Sequence, residues 1–219
     1  MTTQEKIEAI KLAIKNADNL SSKMDEKAWS VPALSSLRIR HLMNNLGAIS
    51  NRYLECGVHR GGLFCSTLRN NSHIDMACYI DSFESDKITG EDIAHEFLNN
   101  ATDCLEGTDM LLFGHECDTF SAPSNIGDGI DLYLYDADHS KESQRKAVTY
   151  FLPAMADEFI FCVDDFDWPD VAFGTGVGIG EALKNKEIQV LYTHAMTGND
   201  HDNDGWWNGF FVALLKKVK

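Results

Sequence analysis

The apolar positions of this chain change rhythm near residue 52. Upstream, Ile7, Ile10 and Ile14 recur at three- and four-residue intervals, one face of a helix over 3–16. Leu34, Leu37, Leu42 and Leu46 mark a second helix over 32–46, with Pro32 near its start and Gly47 just past its end. Downstream, short apolar runs alternate with helical stripes. The runs "RYLECGV" (52–58), "MACYIDSF" (76–83), "DMLLFG" (109–114), "IDLYLYDAD" (130–138), "EFIFCVDDF" (158–166), "QVLYTHAM" (189–196) and "GFFVALLKK" (209–217) read as seven strands. Between them, "GGLFCSTLRN" (61–70), "EDIAHEFLNNATDCL" (91–105), "SKESQRKAVTYFLPAM" (140–155) and "GIGEALKNK" (178–186) read as helices.

Strands alternating with helices predict an α/β fold, a doubly wound, Rossmann-like seven-stranded sheet, mostly parallel and covered on both faces. The last two runs have no helix between them, so they should pair antiparallel at the edge, the last strand reversed. The early helices predict an N-terminal helical cap, residues 1–50, ahead of a sheet domain, residues 51–219. In such sheets, ligands bind beyond the carboxyl ends of the strands, where the strand order reverses. Gly57, Asp81, Gly114, Asp136 and Asp164 all fall at such ends. Core packing gives no reason to sort polar residues there.

Composition narrows the partners. The formal net charge of −15 argues against nucleic acid, whose phosphates need clustered Lys and Arg, and against an anionic membrane surface. The six cysteines form no CxxC pair, which fits buried free thiols in a reducing compartment rather than a zinc knuckle. The N-terminus has no signal-peptide pattern and no stretch reaches 18 apolar residues, so a cytoplasmic protein is expected. Homo-oligomerisation stays open.

The candidate chemistry sits in four places. "LECGVHRGG" (54–62) runs a strand into a glycine-rich turn and a helix, and Asp81 follows Gly57 by 24 residues, where a carboxylate can accept both ribose hydroxyls. The spacing is G-x-x-x-G-G rather than the G-x-G-x-x-G of dinucleotide sites, and Glu55 would repel a pyrophosphate. The same acid welcomes an ammonium or sulfonium, which favours S-adenosylmethionine (SAM) over NAD. "YDADHS" (135–140) and "VDDF" (163–166) place carboxylates at two further strand ends. The plain alternatives are a strand-end turn with a helix cap for Asp136 and Asp138, and a solvated loop for Asp164 and Asp165. "GTGVGIG" (174–180) lacks the Lys-Ser/Thr of a phosphate loop and reads as a loop ending in a helix, with "WPDVAF" (168–173) placed to close over a substrate. "NDHDNDG" (199–205) lacks the terminal Glu of a calcium loop and reads as a turn.

Taken together and in order, "LECGVHRGG", "IDSFES", "GHECDTF", "DADH" and "VDDF" resemble the class I SAM-dependent methyltransferases over about residues 52–170. The likeness is to the macrocin/sugar O-methyltransferases and the small-molecule, catechol-type enzymes around them. The resemblance implies that Glu55, Gly57, Gly61 and Gly62 line the methionine part of SAM. Asp81 and Ser82 would hold the ribose, and Gly114 and His115 would border the adenine. It further implies Mg2+ on Asp136, Asp164 and Asp165, with the hydroxyl of a small-molecule acceptor activated by the cation. The base is Asp138, by likeness to the sugar enzymes, or His139, at the position where catechol-type enzymes carry a basic residue. Two other classes remain as rivals: an NAD(P)-dependent oxidoreductase, which the glycine spacing disfavours, and a SAM-binding module without turnover.

Overall fold

The computed structural model describes residues 1–84, 90, 92–198, 203 and 205–218. Most of the polar stretch 199–205, read as a turn, lies outside the described residues. Three helices come first: α1 (Thr3–Asp18), α2 (Glu26–Trp29) and α3 (Leu37–Gly47). Then follow β1 (Arg52–Cys56), α4 (Gly62–Leu68), β2 (Met76–Asp81), α5 (Ile93–Leu105) and β3 (Leu111–Glu116). The second half holds β4 (Ile130–Tyr135), α6 (Lys141–Tyr150), β5 (Met155–Asp164), α7 (Pro169–Lys184), β6 (Ile188–Met196) and β7 (Phe210–Lys217). No helix among the described residues is long and apolar enough to cross a membrane.

The seven strands form one sheet in the order β3-β2-β1-β4-β5-β7-β6. The first five pair in parallel, as the alternation with helices predicts. The reversed strand, β7, runs antiparallel between β5 and β6, so it lies one place in from the edge and β6 is outermost. Strand order turns between β1 and β4. There the Gly57 N–H donates to the Ile80 carbonyl (2.8 Å) and the Asp136 N–H to the Cys56 carbonyl (2.8 Å), which brings three strand ends to one rim.

Period-two alternation sorts the strand side chains onto two cores. Tyr53, Leu132, Leu134, Cys162, Val212 and Leu214 face α1, α3, α4 and α5. Leu54, Tyr133, Tyr135, Phe161, Val163 and Ala213 face α6 and α7. The N-terminal helices have no core of their own: Ile10, Ile14, Ile39 and Leu42 pack in the same cluster as the sheet. Between β3 and β4 there is only a three-residue 3₁₀ turn, Thr119–Ser121, instead of a helix. Leu111 and Phe113 on the edge strand are therefore left exposed.

Two elements differ from the sequence expectation. The helix expected over 32–46 starts only at Leu37, where the Ser36 hydroxyl caps the Ile39 N–H (3.3 Å). Residues 32–35 form a strap instead. The loop expected at 174–180 is helical, inside α7, which begins with Pro169 at its first turn. Its glycines have a packing reason: a Cβ on Gly174 would lie 2.5 Å from the Lys141 carbonyl, and one on Gly178 would lie 2.5 Å from the Arg145 carbonyl. Backbone-to-backbone approach of α6 and α7 repays the low helix propensity of glycine.

Candidate active site

A crevice of about 340 Å³ opens at the carboxyl ends of β1, β2, β4 and β5, within the size range of small-molecule sites. Glu55, Gly57, Gly62, Asp81, Ser82, Asp136, His139 and Asp165 line it, as do Pro32–Ser35 of the strap and Cys117–Thr119 beyond β3.

The glycine turn is shaped by its neighbours. Gly57 has φ +87°, and a Cβ there would lie 1.9 Å from the Asp136 carbonyl oxygen. Only glycine lets β1 and β4 end this close together. Gly61 is the left-handed N-cap of α4 (φ +89°) and stands outside the lining. Gly62 makes room for the strap, since a Cβ there would meet Ala33 Cβ at 2.3 Å. Glu55 is buried, accepts a hydrogen bond from the Tyr53 hydroxyl, and is pushed well above the usual carboxylate range by desolvation. Asp81 is fixed by two backbone donors, His59 N–H (2.9 Å) and Phe83 N–H (2.7 Å). Each of its oxygens keeps a lone pair for a ligand hydroxyl.

At the other end, Asp136, His139 and Asp165 converge, with one donor atom from each lying within 4.8 Å of the others. His139 Nε2 stands 3.1 Å from Asp165 Oδ2 and 3.9 Å from Asp136 Oδ1. It is shielded from solvent and lies between the two carboxylates without a well-directed hydrogen bond to either. The carboxylates, Asp136 foremost, hold the imidazole up at about 10. Burial, with Asp165 adding repulsion, pushes Asp136 up to about 6. Asp165 adopts a left-handed backbone (φ +53°), and Asn208 Nδ2 donates to its Oδ1 (2.7 Å), leaving Oδ2 for the imidazole. The Trp168 ring packs edge-on against His139, 4.8 Å between centroids.

Four further residues singled out by sequence stand outside the lining. Asp138 is committed to α6: its carboxylate accepts from the Ser140 N–H (3.0 Å), Ser140 Oγ (2.8 Å) and Ser143 Oγ (2.6 Å), which hold it below the usual carboxylate range. Asp164 is buried behind the rim, accepts the Asp165 N–H (2.9 Å), and is not in the converging group; burial and its acidic neighbours push it well up. Gly114 lies under the Tyr79 ring, which a Cβ would strike at 1.9 Å, and His115 follows it on the edge strand. The crevice is reached instead by Cys117–Thr119, because β3 runs on to Glu116. Sequence reasoning missed these three, the strap and Asn208. The "GHECDTF" stretch was the available signal for the first; nothing local marks the other two.

No protein-family model matches the chain, and no curated protein does. Solved structures do. A putative O-methyltransferase from Klebsiella pneumoniae superposes with a TM-score of 0.58 at 14% identity, covering 95% of this chain and 90% of that one. An O-methyltransferase from Bacillus cereus in complex with S-adenosylhomocysteine (SAH) gives 0.58 at 13% identity, covering 95% and 91%. The O-methyltransferase TomG from Streptomyces achromogenes, involved in tomaymycin synthesis and solved with SAM, gives 0.56 at 16%, covering 94% and 90%. The chain has the class I SAM-dependent methyltransferase fold. Its strand order with the inserted, reversed β7 places the candidate crevice at the point where β1 and β4 diverge, the switch point of this methyltransferase architecture.

Proposed function

We propose that the protein is a SAM-dependent methyltransferase that methylates a hydroxyl oxygen of a small polar acceptor, assisted by a divalent cation. The observation carrying this reading is the division of one crevice into two chemically different ends. Glu55, Gly57, Asp81 and Ser82 make one end; Asp136, His139 and Asp165 make the other.

At the first end, Glu55 accepts the ammonium of the SAM methionine part, whose charge offsets the burial of the carboxylate. Asp81 takes the ribose hydroxyls, with Ser82 beside it. Cys117–Thr119 flank the adenine, in place of Gly114 and His115. The strap closes over the methionine part at Gly62. At the second end, Asp136 and Asp165 fit a small dication by donor chemistry, and the orphaned His139 Nε2 adds a donor aimed at the same point. A bound cation would lower the pKa of an acceptor hydroxyl. The activated hydroxyl oxygen would take the methyl carbon of SAM, the C–S bond breaking with its electrons left on sulfur, so that SAH would be released. The hydroxyl proton would pass to water as the base, because Asp136 and Asp165 are weakened as bases while they hold the cation. Asp138, already saturated by serine donors, is not assigned that role.

The test is a thermal-shift panel followed by transfer of labelled methyl from SAM to hydroxyl acceptors, with and without chelator. SAM and SAH should stabilise the protein, by about 2.7 kcal/mol at a hundredfold excess over Kd. Stabilisation by NADH with no response to SAM or SAH would reverse the assignment.

A further inference from the structure

We propose that His139 is a nitrogen ligand of the cation, so that the site is built for a first-row transition dication such as Co2+ or Mn2+ in preference to Mg2+. The inference rests on the metal-assisted reading above and refines it. Three features of the second crevice end carry it.

First, the converging donors are two carboxylate oxygens and one imidazole nitrogen, not three carboxylates. Asp164, which would have completed an all-oxygen set, is outside the group and holds the Asp165 N–H instead. Mg2+ demands oxygen donors and retains water stubbornly, whereas an imidazole nitrogen adds affinity for first-row transition dications, least for Mn2+ and more for Co2+ along the series to Cu2+. Secondly, Nε2 is shielded from solvent without a completed hydrogen bond, although acceptors lie 3.1 and 3.9 Å away. A nitrogen placed for one good hydrogen bond would have taken Asp165 Oδ2 squarely. One aimed between two carboxylates is placed for an occupant that all three share. Thirdly, the set is braced from outside, as metal ligands are. Asn208 holds the far oxygen of Asp165, and the Trp168 ring fixes the plane of the imidazole. Three donors sharing one small dication, at bond lengths of about 2.0–2.1 Å, stand about 3–3.4 Å from one another. Donors now within 4.8 Å close on such an ion by side-chain movements of an ångström or two, on the order of the difference between the two separations.

The experiment uses the full-length protein, stripped with chelator and saturated with SAH, titrated calorimetrically with MnCl2, CoCl2 and MgCl2. Co2+ and Mn2+ should bind at least about tenfold more tightly than Mg2+. His139→Gln should weaken Co2+ by about ten- to a hundredfold while moving Mg2+ little, collapsing the preference. Pulsed electron paramagnetic resonance on the Mn2+-loaded wild type should show a nitrogen coupling, and this arm needs no variant. Equal Mg2+ and Co2+ affinity, an unchanged Co2+ affinity in His139→Gln, or no nitrogen coupling would each overturn the assignment. SAH affinity, measured on the same samples, separates the two readings. Failure to bind SAH removes the methyltransferase reading whatever the metals do, while normal SAH binding without a nitrogen-ligated cation removes only this inference.

Discussion

At the scale of single residues, the crevice is decided by who supplies each carboxylate with donors. Asp136, Asp138, Asp164 and Asp165 look alike in sequence, four acids at two strand ends. The structure gives each a different partner set. Three serine contacts spend Asp138, and the backbone N–H of Asp165 occupies Asp164. Asp136 and Asp165 are left to face His139. The strand-end pattern made the acids and His139 visible as candidates, but a hydroxyl two or five residues downstream cannot be weighed as a competitor without coordinates. The facing acids also set a pH signature for the cation-free protein. His139 is held up at about 10 against an ordinary 6.5. A group raised on folding contributes stability that is complete below its unfolded value and is lost as pH rises through the folded one. For His139 that window runs from about 6.5 to about 10. Asp136, raised from 3.8 to about 6, has the same sign and acts in the separate, more acid window between those values. In chelator, melting temperature should therefore decline more steeply above neutrality in wild type than in His139→Gln. Melts at half-unit pH steps measure this, and parallel profiles would show that the imidazole carries no such contribution.

At the scale of elements, the strands were the most legible, because buried parallel strands are continuous apolar runs that turn residues bound clearly. The edge strand β3 was read two residues early, as 109–114 against Leu111–Glu116: its last residues, His115 and Glu116, are polar because one side of an edge is wet. That shift keeps Gly114 and His115 out of the crevice, which Cys117–Thr119 reach instead. Helix boundaries failed for two physical reasons. Leu34 continued an apolar stripe although it is 72% exposed, and a glycine run looked like a loop when it was a helix contact. The four glycines of α7 do two different things. Gly174 and Gly178 meet α6, whereas a Cβ on Gly176 or Gly180 would touch nothing within 4 Å. Gly178→Ala must push Arg145 and Val148 away, at a cost of about 1–3 kcal/mol. Gly176→Ala should instead stabilise by up to about 1 kcal/mol through helix propensity and reduced unfolded-state freedom. Urea melts of the two variants should move in opposite directions. A shift of the same sign in both would mean that α6 and α7 do not pack through these glycines.

At the scale of the whole molecule, the N-terminal helices are joined to the Glu55–Asp81 end of the crevice through a buried cation, Arg40. Arg40 on α3 is 5% exposed and, among the described residues, has no carboxylate as a hydrogen-bond partner. Its Nε donates to Ser66 Oγ of α4 (2.8 Å), Nη1 to the Val31 carbonyl (3.3 Å) and Nη2 to the Ala28 carbonyl, with the guanidinium carbon 5.2 Å from the centre of the Trp29 ring. These contacts pin the chain on either side of residue 30 so that Pro32–Ser35 lies across Gly62 and into the crevice. Arg40→Met keeps the volume and removes the donors: the Val31 carbonyl loses its donor, while the Ala28 carbonyl keeps the Val31 N–H (3.2 Å) and the Ser66 hydroxyl keeps its bond to the Gly62 carbonyl (2.6 Å). A loss of about 1–3 kcal/mol follows from one unsatisfied buried acceptor. Because the strap is also crevice wall, SAH affinity should fall with it, by about tenfold. Gly178→Ala supplies the control, since it destabilises the opposite face of the sheet and should leave SAH affinity unchanged in the folded protein. Thermal melts and SAH titrations of both variants distinguish a strap that shapes the cofactor site from one that only fastens the cap. In the second case Arg40→Met would lose stability and still bind SAH as tightly as wild type.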